Sequence, residues 1–129
     1  MLVSQAAQRR IRNWVEDRLG FGAMNSVERG RRMLEEAAEL AQACGVKKEQ
    51  AALIVERVYD KEPGAVFKEV GAALVTVLGV AESYHYDATK CLEAELERIE
   101  DLPLQSTVDR QMKNLFEGIG EAPLLEQKK

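Results

Sequence analysis

The sequence predicts an all-α protein, a helical bundle of four to five helices. Three observations point there. Apolar residues recur at helical spacing in every long segment, and no stretch alternates apolar with polar as a strand would. Gly20, Gly45, Pro63, Gly64 and Pro103 fall at the breaks between those segments. One segment, Ala65 to His85, is apolar or small at almost every position from Val70 to Ala81, with Thr76 the only polar one. A helix that is apolar all round must be covered on all sides. In a chain of 129 residues that predicts a bundle centre or a subunit interface.

The elements follow in order. Ser4 to Leu19 carries Ala7, Ile11, Trp14, Val15 and Leu19 on one helical stripe and stops at Gly20. "GFGAMN" reads as a loop. Asn25 and Glu28 then resemble a capping box that opens a helix to about Cys44, ended by Gly45. Lys47 to Tyr59 is a shorter helix, broken by Pro63 and Gly64. After Ala65 to His85, Asp87 reads as the N-cap of a helix to about Glu100, closed by Pro103. Ser106 to Glu117 makes a last helix, and "EAPLLEQKK" reads as a frayed end. The main domain is 1–103, and 104–129 is a C-terminal helix and tail. There is no internal repeat.

Charge and composition narrow the function. Hydrophobic residues are 46%, charged residues 31% and net charge −4, an ordinary balance for a soluble chain. Binding a nucleic-acid backbone needs a basic face; "RRIR" at 9–12 and "RGRR" at 29–32 are too short and interrupted. The Ala65 to Ala81 run is interrupted by Lys68 and Glu69 and is too short to span a bilayer. No long apolar core follows the first charges, so the expected location is the cytoplasm. Cys44 and Cys91 match no metal spacing and read as small, partly buried residues. The single histidine, His85, excludes a zinc site built on paired histidines and reads as a helix-end residue.

The acids carry the chemistry. On a helix that advances about 100° per residue, Met33, Leu34, Ala37, Leu40, Ala41 and Cys44 form the core stripe. Glu36 and Glu39 flank it on one edge with Arg32, while Glu35 lies further out. Two carboxylates one turn apart repel each other unless a cation sits between them. The same spacing also suits a solvated edge paired with Arg29, Arg31 and Arg32. Glu69 heads the apolar helix, where the helix dipole alone favours an acid. The positions on its face, Ala72, Ala73, Thr76, Val80 and Ser83, are nearly all small and leave room for a ligand. E-x-x-E on one helix opposite a glutamate on another is an oxygen cage suited to a hard divalent metal.

"LEEAAEL" and "KEVGAALVTV", with "EAELERIE" beyond them, resemble the MazG-like all-α NTP pyrophosphohydrolases, in particular a phage-type subgroup. The resemblance spans roughly Trp14 to Glu100. It implies an all-α NTP pyrophosphatase-like fold assembled as a dimer or a dimer of dimers, with a homotetramer favoured. It implies Mg²⁺, with Mn²⁺ able to substitute, held by Glu36, Glu39 and Glu69. It implies cleavage of a nucleoside triphosphate, a purine such as dGTP, to the monophosphate and pyrophosphate, with Glu35 or Glu36 acting on the water. The aspartate of the family's E-x-x-D falls on Ala72 here, so Asp87, Glu93 and Glu95 are candidate replacements. Arg29, Arg32, Lys90 and Arg98 are candidates for the phosphates, and Trp14 for the base. Each has a plainer reading as a solvated or packing residue. The alternative function is a non-catalytic helical regulatory or interaction module, which the lost aspartate favours. A ferritin-like di-metal protein would need E-x-x-H pairs that one histidine cannot supply.

Overall fold

The computed structural model describes residues 4–122, which form six α-helices and one 3₁₀ turn, with no strand among the described residues. The helices are α1 (Gln5–Leu19), α2 (Ser26–Ala43), α3 (Lys48–Tyr59), α4 (Val66–Ser83), α5 (Ala88–Glu100) and α6 (Leu104–Phe116). They match the six helical segments read from the sequence, five in the stretch to residue 103 and one beyond it. "GFGAMN" is tighter than a loop, with a 3₁₀ turn over Phe21–Met24. The last helix starts directly after Pro103 rather than at Ser106, because the first turn of a helix needs no N–H from that residue. Most of the tail expected to fray, 123–129, lies outside the described residues.

Local chemistry explains the helix ends. Ser4 Oγ accepts from Ala7 N at 3.1 Å and caps α1. Asn25 Oδ1 accepts from Glu28 N at 2.8 Å, one half of the expected capping box. α2 ends in a left-handed cap: Gly45 (φ 98) donates to Gln42 O, and Val46 to Ala41 O, each at 3.0 Å. α4 ends the same way, with His85 donating to Glu82 O and Tyr86 to Ala81 O. His85 is thus the helix-end residue the sequence predicts, but at φ 59 it holds a backbone conformation that glycine adopts more cheaply.

The chain divides into two compact units, Met1–Met33 with Thr89–Lys129, and Leu34–Ala88. α6 packs on α1 within the first unit. Val15, Leu19 and Leu96 form the buried apolar core of that unit. Hydrogen bonds tie α1 to the chain around the end of α5. Trp14 Nε1 donates to Ile99 O at 3.0 Å, and Arg18 donates to Glu100 O and Thr107 Oγ1, each at 3.0 Å.

The second unit differs in kind, since none of its described residues is buried. Val70 to Ala81, expected to be covered on all sides, has no buried position in the single chain. An apolar pattern states that water must be excluded and is silent on which chain excludes it. Cys44 and Cys91, expected to be partly buried, are exposed free thiols. No described helix is long and apolar enough to cross a membrane.

Candidate functional site

The acids of the E-E-x-x-E motif and Glu69 all belong to the second unit. Glu35 is the half-covered member of the trio, while Glu36 and Glu39 are exposed. This inverts the order expected from the helical wheel. The reason is that the stripe they were measured against is itself open: Met33, Leu34 and Leu40 are exposed. Glu39 has no hydrogen-bond or ion-pair partner among the described residues.

Glu69 sits in the first turn of α4, 3.2 Å from Lys68 Nζ. Its carboxylate folds back over Gly64, where an added Cβ would come within 2.5 Å of Oε1. Ala72, at the position of the family's aspartate, is half-covered. Carboxylate oxygens are the donors that Mg²⁺ takes, so the set fits the ion in kind. It is not gathered in one chain: among the described residues no three His, Cys, Asp or Glu side chains group closely enough to hold a metal ion. At the far end of α4 the Tyr84 and Tyr86 rings stack at 5.6 Å and 15°. A hydrogen bond between the Tyr84 hydroxyl and Cys44, reinforced by the charge the thiol can carry, pushes the Tyr84 pKa up.

Asp87 is exposed immediately before α5. The remaining candidates, Glu93, Glu95, Lys90, Arg98, Arg29, Arg32 and Trp14, belong to the first unit. Glu93 and Lys90 are exposed on α5. Glu95 and Arg98 form a two-pronged pair at 2.9 and 2.5 Å, and the Arg98 hydrogen bond holds the Glu95 carboxyl below its usual range. Trp14 is a packing residue, with its N–H on Ile99 O and the Arg18 guanidinium 5.4 Å from its ring centroid.

The basic pair on α2 is engaged inside its own unit. Arg29 Nε donates to Ala23 O at 2.8 Å, while its buried Nη2 has no hydrogen-bond partner. Burial pushes the Arg29 pKa down, opposed by Glu28 and aided by Arg32. Arg32 donates from Nη2 to Ile119 O, and its Nε lies 3.3 Å from Glu28 Oε1, an ion pair outside hydrogen-bond geometry.

The sequence reading missed the most buried charge among the described residues. Glu28, 1% exposed, does not turn back to complete a capping box. Its carboxylate accepts from Arg31 Nη1 and from Gln111 Nε2 of α6, each at 3.1 Å. Gln111 also donates to Glu121 O at 2.6 Å, and Arg31 reaches Glu121 Oε1 at 3.4 Å. The chain beyond α6 is therefore tied to the head of α2. The arginines three and four residues after Glu28 were the available signal; the buried glutamine that completes the set was not legible.

No known protein family, curated protein or solved structure matches this chain.

Proposed function

We propose that the chain is a Mg²⁺-dependent nucleoside triphosphate pyrophosphohydrolase acting on a purine (deoxy)nucleotide such as dGTP. The observation that carries this reading is the order and spacing of Glu35, Glu36 and Glu39 on α2 and Glu69 on α4, four acids of one compact unit. Glu36, Glu39 and Glu69 would hold Mg²⁺, or Mn²⁺ in its place, which would supply neutralising charge for the triphosphate. Glu35 or Glu36 would orient the attacking water and take its proton. The water oxygen bonds to the α-phosphorus as the bond to the α–β bridging oxygen breaks. Pyrophosphate leaves, and the nucleoside monophosphate remains. The chemistry uses the acids of the second unit alone.

The test is a panel of NTPs and dNTPs with Mg²⁺, scored for monophosphate and pyrophosphate. Turnover that is metal-dependent and lost in Glu39→Gln supports the reading. Release of orthophosphate alone, or equal behaviour of parent and variant, overturns it. The second reading, a non-catalytic helical module, is favoured by Ala72 at the aspartate position and expects neither turnover nor a thermal shift with Mn²⁺ and nucleotide.

A further inference from the structure

We infer that the cleft between the first turns of α1 and Met24 binds a small organic phosphate, with Arg9 and Arg12 holding the phosphoryl group. Every lining residue belongs to the first unit and none is an acid of the proposed metal set, so the inference does not rest on the enzymatic reading.

The cleft is built by a reversal of the chain. Gly20, at φ 88, ends α1 in a conformation that suits a residue without a side chain, and the 3₁₀ turn after it packs back on α1. Met24 thereby comes to face Gln5, Gln8, Arg9 and Arg12, and the five residues line a cleft of about 370 Å³. Small-ligand sites occupy about 300–1,000 Å³. Gln5, Gln8, Arg9 and Arg12 follow one another at intervals of three, one and three residues, which aligns them on one face of α1.

Charge and shape identify the occupant. The chain has net charge −4, yet this wall carries two arginines and no acid. Arg9 donates from Nη2 to Gln5 Oε1 at 3.4 Å and has no carboxylate partner among the described residues. Arg12 gives its Nε to Glu16 Oε1 at 3.0 Å and stays 65% exposed. That pair uses Nε alone and leaves both Nη groups for a further acceptor. An ion pair so exposed is weak, so an added anion can join or displace it. Arg10, between the two, is taken up by Glu100 instead. Guanidiniums one turn apart stand about 5–6 Å from each other at Cβ, close enough to share one phosphoryl group. Its three oxygens accept hydrogen bonds, and it carries close to twice the charge of a carboxylate. The carboxamides of Gln5 and Gln8 can donate to or accept from hydroxyls on the rest of the ligand. Half-covered Met24 supplies a soft apolar wall suited to a ring or hydrocarbon part. An inorganic ion would leave that wall unused, which is why the ligand is an organic phosphate.

The experiment is isothermal titration calorimetry on the full chain in EDTA, with phenyl phosphate, adenosine monophosphate, glycerol 3-phosphate and inorganic phosphate as probes. EDTA removes divalent metal, so binding there is separate from the acids of the second unit. At least one ester is expected to bind about tenfold or more tighter than inorganic phosphate, and the tightest of the three identifies the organic part. Arg9→Gln/Arg12→Gln should weaken that ester about tenfold or more; both side chains are exposed, so the variant keeps its fold. Arg57→Gln/Lys61→Gln, on the second unit, removes the same charge and should leave binding intact. Met24→Ala should reduce the advantage of the ester over inorganic phosphate. No ester binding, equal affinity for inorganic phosphate, or the same loss in both double variants overturns the inference. Turnover of triphosphates with Mg²⁺ bears on the enzymatic reading alone.

Discussion

The Glu28 carboxylate lies 3.1 Å from Arg31 Nη1, with the acid 1% exposed and the guanidinium 38% exposed. The pair is asymmetric, since Arg31 can reach solvent and Glu28 cannot. Glu28 is held by Arg31, Arg32 and Gln111 in place of water. A buried ion set of this kind is costly to break on one side, because the remaining groups lose their compensation.

Glu28→Ala should therefore destabilise the first unit by about 3 kcal/mol. Gln111→Leu should cost about 1–3 kcal/mol, because it removes one donor and leaves the arginines in place. Urea denaturation followed by circular dichroism measures both. A Glu28→Ala midpoint equal to that of the parent would contradict the packing described here.

The pair of Arg10 and Glu100 gives a pH dependence with a definite sign. Its two hydrogen bonds, at 2.9 and 2.5 Å, hold the Glu100 carboxyl below its ordinary value of 4.5. A carboxyl lowered on folding adds stability above that ordinary value and loses it as pH falls through the lowered one. Glu100→Gln should be less stable than the parent near neutral pH, and the gap should close on acidification. Denaturation midpoints at neutral and strongly acid pH read this directly. A gap that widens in acid would refute it.

His85 and Gly45 hold the same position in two helix caps. His85→Gly should stabilise the chain by about 1 kcal/mol, by removing the left-handed strain of a non-glycine residue. Gly45→Ala should destabilise it by about 1–2 kcal/mol. Thermal unfolding of the two variants should move in opposite directions.

If the acids act on a metal-bound triphosphate, Glu39→Gln should lower pyrophosphate release by more than about 100-fold, since losing a group that only orients a metal ligand already costs about 10- to 100-fold. Glu117→Gln, on the first unit, should leave the rate unchanged. Equal losses in both variants would point to general destabilisation, which circular dichroism would reveal.

The helices and most of their ends were legible because their causes are local. Asn25, Gly20, Gly45 and Pro103 act on the few residues next to them, and periodicity shows which stripe of each helix avoids water. Even the role of His85 as a helix-end residue followed from its place in the chain. Partnership was not legible. Glu28 read as half of a capping box because its remaining ligands, Gln111 above all, lie more than eighty residues away. Arg32 read as a phosphate ligand because nothing nearby announces that Ile119 O will take its guanidinium. The apolar run of α4, Val70 to Ala81, is the clearest case. Its composition demands cover, and none of its positions is buried. Hydrophobic burial is non-directional, so the pattern records that α4 avoids water, and only the tertiary structure shows that its own compact unit does not supply the shelter.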